Sequence, residues 1–163
     1  MPDTKHILVA SVEDKPGVLA RVASLFRRRG FNIQSLAVGH SEQPGLSRMT
    51  IVVSGDSAVV EQVRKQLDKL INVIRISDIT EEDIVARELS LIKVKATTST
   101  RNEIIQIVDV FRANVVDVAS DSLTVEVTGD ENKVNSLFEL LRGFGIKEMA
   151  RTGTVALTRG GIS

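Results

Sequence analysis

The chain has 163 residues, of which 42% are hydrophobic and 26% charged, so it carries enough apolar material for one ordinary globular domain or two small ones. It has no cysteine, which excludes a disulfide framework and a thiolate metal site, and its 21 basic and 21 acidic side chains leave no excess charge to attract nucleic acid. Met1 to Lys5 lacks the apolar core of a signal segment and no apolar run approaches the length of a membrane helix, so the expected location is the cytoplasm, with no membrane partner.

In chain order, residues 6–12 form a β-rich run, apolar on both faces, as expected of a central strand. His6 decorates its start, and no His-carboxylate pair stands out in the sequence. Lys15 precedes a proline and is biased to an extended conformation, while Pro16 has its φ preset for a turn or a first helical position. A helix is expected from about 17 to 29, with Leu19, Val22, Ala23 and Phe26 on its apolar face and Gly30 as its C-terminal cap. The run Arg27, Arg28, Arg29 is the only concentrated positive charge and suits a solvated helix end. Residues 32–38 form a second strand, with Ile33 and Ala37 expected on one face and Leu36 and Val38 on the other. Gln43-Pro44-Gly45 makes a turn, 47–54 a third strand, and Asp56 stands at the N-cap of a helix over 57–70 striped by Val60, Val63, Leu67 and Leu70. A strand over 73–77 closes the first unit, expected to span 1–78.

An acidic stretch from Asp78 reads as a linker over 79–87. A strand at 88–96 follows, and Thr100 with Glu103 has capping-box spacing ahead of a helix bearing Ile104, Ile107, Val108 and Phe111. Strands at 115–119 and 123–128 precede a helix capped by Asp130 and striped by Val134, Leu137, Phe138 and Leu141. Residues 146–158 end the second unit, 88–158, as a strand or hairpin with Gly153 as a bulge, and the tail from Thr158 to Ser163 is expected to fray. The order β-α-β-β-α-β thus occurs twice, the split βαβ arrangement of an α+β chain with two tandem ferredoxin-like domains.

The residues at the first turn suggest a ligand. The start of the first helix offers unpaired N–H groups and a positive dipole end, and Gly17 has no side chain to keep a small carboxylate away. Asp14, just ahead of it, would find a partner in an ammonium group, so the pair suits an amino-acid zwitterion; the same residues also make an ordinary strand-to-helix turn. Phosphoryl transfer is disfavoured because Glu13 and Asp14 would repel a phosphate, and RNA binding because the five phenylalanines include three on helix core faces and no Tyr or Trp is present. What remains is a sensor or assembly module whose strands extend a sheet across a dimer.

Residues 13–19, Arg29-Gly30-Phe31-Asn32-Ile33 with Ser35-Leu36, and above all Leu46-Ser47-Arg48-Met49-Thr50-Ile51 resemble the small regulatory subunit of acetolactate synthase, also called acetohydroxyacid synthase. Val85 to Leu89, Phe111-Arg112-Ala113, residues 115–118 and Ala150-Arg151-Thr152-Gly153 extend that resemblance to nearly the whole chain. It implies an N-terminal ACT domain, a C-terminal ferredoxin-like domain, and a non-catalytic chain with no metal and no cofactor of its own. It further implies a homodimer that binds valine between two ACT domains, using Asp14, Gly17 and Val18 of one chain and Asn32 and Ile33 of the other. The implied partner is the catalytic large subunit, which would carry thiamine diphosphate, Mg and FAD, and which this chain would activate and place under feedback inhibition in branched-chain amino acid biosynthesis. A free-standing amino-acid sensor acting on another partner is the alternative. One departure concerns the site itself: the family usually has asparagine where this chain has Asp14, and an ionised carboxylate only accepts hydrogen bonds whereas an amide also donates.

Overall fold

The computed structural model describes residues 4–160; of the tail expected to fray, Thr158 closes a strand and the Arg159 N–H donates to the Asp83 carbonyl at 2.8 Å, while the last three residues lie outside the described part. The elements are β1 (Thr4–Glu13), α1 (Val18–Arg28), β2 (Asn32–His40), β3 (Leu46–Gly55), α2 (Ser57–Asp68), β4 (Val73–Asp78), β5 (Ile84–Lys95), α3 (Arg101–Val110), β6 (Asn114–Val118), β7 (Ser122–Gly129), α4 (Glu131–Arg142), β8 (Ile146–Arg151) and β9 (Val155–Thr158). They form two antiparallel sheets ordered β2-β3-β1-β4 and β6-β7-β5-β8, with β9 paired to β5. Each is the ferredoxin-like α+β arrangement expected from the alternation of strands and helices.

Two compact units result: residues up to Val85 together with those from Thr154 onward, and residues 86–153. This division differs from the expected one at both ends. The stretch read as a linker is a short turn followed directly by β5, because Ile79 is buried and its N–H donates to the Ile7 carbonyl at 3.0 Å. Residues 146–158 are neither one strand nor a hairpin, since β8 and β9 both pair with β5, and Gly153, at φ 86°, turns the chain between them rather than bulging a strand. From Thr154 the chain joins the first unit, where the Thr154 N–H donates to Ser35 Oγ at 2.8 Å and Arg48 Nη2 donates to the Ala156 carbonyl at 2.7 Å.

In the first unit, Leu8, Ala10 and Val12 of β1 alternate toward the helices and meet Met49, Ile51 and Val53 of β3 there. Val18, Val22 and Phe26 of α1 and Val60, Val63 and Leu67 of α2 complete that core. Val22 and Phe26 of α1 are buried as expected, but Val18 takes the place of Leu19, which stays 44% exposed. Fully burying each large side chain of this kind contributes about 1.5–3 kcal/mol. Phe26, with no exposed surface, packs edge-on against Phe31 at 6.2 Å between ring centroids. Gly30, at φ 76°, ends α1 as expected, its N–H donating to the Arg27 carbonyl and that of Phe31 to Phe26. The β2–β3 register shifts between Ile33 and Ser35, so Ile33 and Leu36 both pack against the core instead of facing opposite ways.

The second unit repeats the plan around Ile92, Val94, Ile104, Val108, Leu123, Val125, Val127, Val134, Leu137 and Leu141. Asp130 caps α4 by accepting from the Lys133 N–H at 2.8 Å, and Asp56 caps α2 through Ala58 at 2.9 Å. Thr100 does not make the expected capping box. Its backbone is already helical and its Oγ1 accepts instead from the Thr97 N–H at 2.9 Å. Among the described residues no helix is long and apolar enough to cross a membrane.

Candidate functional site at the first turn

Hydrogen bonds fix the turn between β1 and α1 on both sides. The Glu13 N–H donates to the Asn72 carbonyl at 2.8 Å and the Asp14 N–H to the Gly45 carbonyl at 2.9 Å. The amide of Asn72 also donates to Glu13 Oε2 at 2.8 Å, and Lys15 Nζ lies 3.1 Å from the same oxygen. These two partners, the Asn72 bond first, hold the Glu13 carboxyl below its ordinary range. Glu13 is thus engaged in holding the turn, and Asp14, about half exposed, is the carboxylate that faces outward.

Gly17 is the N-cap of α1 at φ 84° and ψ −10°, a left-handed conformation natural to glycine, and a Cβ there would meet no atom within 4 Å. The direction in which a side chain at Gly17 would project is therefore open. No side chain caps the helix and its first turn holds no acidic residue; the Val18 N–H donates to the Lys15 carbonyl at 3.4 Å, and the dipole with the N–H groups that follow keeps its capacity for an incoming carboxylate. Asp14 Oδ2 lies 3.3 Å from Nδ1 of His40, at the end of β2. Nothing adjacent to either residue in the sequence announces that pair.

The five residues singled out from the sequence divide by position. Asp14 and Gly17 stand on the β1–α1 turn, Asp14 about half exposed and Gly17 with open space where a side chain would project. Val18 is 3% exposed and its side chain belongs to the core, so at the turn it offers backbone only. Asn32 and Ile33 open the edge strand β2; Asn32 is exposed and pairs with Ser54, whereas Ile33 is half-buried against the core. Within one chain the two groups stand on different elements, β2 and the β1–α1 turn.

A His-carboxylate pair does exist, contrary to the sequence reading. His6 is 9% exposed, with Nδ1 at 3.0 Å from Asp78 Oδ2 and Nε2 at 2.8 Å from Thr4 Oγ1 and 3.3 Å from Ser57 Oγ. Burial alone would raise the Asp78 carboxyl, but bonds from the Thr80 hydroxyl and N–H and from His6 outweigh it and hold the group below its ordinary range. The ring has both nitrogens occupied and ties β1 to β4 and α2. Arg48, which secures Ala156, is another polar residue whose partner the sequence does not reveal. Among the described residues no group of three or more His, Cys, Asp or Glu side chains is placed to hold a metal ion.

Comparison with known proteins agrees with this architecture along the whole chain. The family model for an "AHAS small subunit-like ACT domain" matches residues 8–75, and that for the "Small subunit of acetolactate synthase" matches residues 87–160. A probable acetolactate synthase small subunit of Archaeoglobus fulgidus is 60% identical over 156 residues, covering 96% of this chain and 98% of that one. The acetolactate synthase small subunit of Mycolicibacterium smegmatis is 57% identical over 155 residues, covering 95% and 91%. The crystal structure of the small subunit from Thermotoga maritima superposes with a TM-score of 0.88 at 42% identity, covering 98% of this chain and 99% of that one. Two successive family matches, each falling on one ferredoxin-like sheet, and relatives aligned almost end to end place the chain in the acetolactate synthase small-subunit family, as a regulatory subunit built on an ACT domain.

Proposed function

We propose that the chain acts as a homodimer that binds valine between two ACT domains and carries that signal to the catalytic large subunit. The observation that supports this reading most is the uncapped start of α1 behind Gly17, open to a small carboxylate and flanked by Asp14. Asn32 and Ile33 of the second copy complete the site. The exposed Leu19 and the open side of Ile33 supply apolar surface for a branched side chain, which discriminates one methylene by only about 1–3 kcal/mol. Valine is then preferred over leucine without excluding it.

The regulatory device is a coupling free energy between two sites. Valine favours one arrangement of the ACT dimer and the activated complex with the catalytic chain favours another, so binding of either opposes the other. Thiamine diphosphate, Mg and FAD belong in this reading to the catalytic chain, and the complex works in the cytoplasm. A sensor serving an unrelated partner would leave the match over residues 87–160 without a role.

Calorimetric titration of the full chain with valine, leucine, isoleucine and serine tests the proposal, repeated on Gly17→Asp and Asp14→Asn. Saturable valine binding that disappears in Gly17→Asp is expected. Tighter binding in Asp14→Asn would mean that Asp14 faces the ligand carboxylate, and weaker binding that it faces the amine. Absence of binding for all four amino acids removes valine control from this chain.

A further inference from the structure

A cavity of about 310 Å³ lies on the face of the first sheet turned away from α1 and α2, and its floor is built from three strands. Ser11 of β1 pairs with Arg48 of β3 on one side and with Arg75 of β4 on the other. Directly paired residues share a face of the sheet, so the two arginines flank one serine, two strand spacings or about 10 Å apart at the backbone. Two residues along, Val9 pairs with Ser77, which places a second hydroxyl on the same side as Arg75. Leu157 and Thr158 of β9 form another wall.

The two arginines are differently engaged. Arg48 donates one bond to the Ala156 carbonyl at 2.7 Å, which orients its guanidinium and leaves its other N–H groups available. Arg75 makes no side-chain hydrogen bond or ion pair among the described residues. Securing β9 accounts for Arg48 alone. It does not account for a second arginine and two hydroxyls converging on one concave space, with Glu82 as the acidic side chain among its described lining residues.

We propose that this cavity is an oxyanion site for a small molecule carrying a phosphate or carboxylate group. Both guanidinium forks reach a ligand lying over Ser11, and the hydroxyls of Ser11 and Ser77 add donors of the length such a group needs. The site is separate from the turn at Gly17, so it stands or falls independently of valine binding.

The test is calorimetric titration of the full chain with inorganic phosphate and, separately, with malonate, at constant ionic strength set with sodium chloride. Saturable binding of at least one anion is expected, weakened tenfold or more in Arg75→Gln, with the melting temperature of that variant in chloride unchanged. Arg28→Gln, in the exposed basic run, is expected to bind as the wild type does. Saturation by phosphate alone assigns a phosphate-bearing ligand, and by malonate alone a carboxylate. Failure of both anions to saturate, or binding lost in Arg28→Gln and retained in Arg75→Gln, overturns the proposal.

Discussion

Nδ1 of His6 stands 3.0 Å from Oδ2 of Asp78, joining the first and last strands of the N-terminal sheet across 72 residues of chain. Because the Asp78 carboxyl is held below its ordinary range in the fold, the unfolded chain takes up this proton more readily than the folded one. The corresponding stability is complete above the unfolded value of about 3.9 and is lost as the pH falls through the lower folded value. Urea unfolding between pH 7 and pH 2 is expected to show this acid limb, and Asp78→Asn to flatten it. Asp78→Ala, which strips partners from His6 and Thr80, is expected to cost about 1–3 kcal/mol at neutral pH.

Gly55 ends β3 against the ring of Phe31, and an added Cβ would overlap that ring. Phe31 is partly buried and packs edge-on against the buried Phe26, a contact it must disturb to give way. Gly55→Ala is expected to destabilise by about 1–3 kcal/mol, as overpacked sites do. Phe31→Leu in the same chain is expected to recover part of that loss, and a double-mutant cycle in denaturant reads the coupling directly.

In the second unit, Glu88 is 5% exposed and its carboxylate is met by Arg151, whose Nε donates to Oε1 at 3.0 Å while Nη1 donates to Asn135 Oδ1 at 3.0 Å. Arg151→Met leaves a buried acceptor without its donors and is expected to cost about 1–3 kcal/mol. Glu88→Leu with Arg151→Met is expected to be less destabilising than Arg151→Met alone, because removing both partners leaves no orphaned charge. Chemical denaturation of the three variants checks the order.

Reciprocity gives a prediction that needs both chains. If valine opposes the activated complex, the catalytic chain must lower valine affinity by the same factor by which valine lowers the affinity between the chains. Valine titrations with and without a saturating amount of catalytic chain measure the first factor, and association measured with and without valine gives the second. Equal valine affinity in both conditions would sink the coupling.

The elements were legible because they rest on local rules. Strand alternation marked β7, Asp56 and Asp130 marked helix starts, and Gly30 marked a helix end, each within a few residues of where the chain does these things. The turn at Asp14 and Gly17 was legible for the same reason. Pairings between distant residues were not: nothing adjacent to His6 announces Asp78, nothing near Asp14 announces His40, and nothing near Arg48 announces Ala156. The phase of β2 was misread because alternation assumes an unbroken ladder, and the shift between Ile33 and Ser35 changes which side chains share the core.

The return of the chain at Thr154 makes the first unit discontinuous, its last strand being supplied after residues 86–153 have intervened. During synthesis the ribosome therefore delivers a complete second unit before it delivers the partner of Arg48 and Ser35. A nascent or prematurely terminated chain would hold both helices and four strands of the first sheet, yet Arg48 would lack its acceptor and the cavity beside it would lack the β9 wall. Completion of the first unit thus waits on residues that follow the second unit in the chain, and a chain cut short before them is marked by its unfinished outer face.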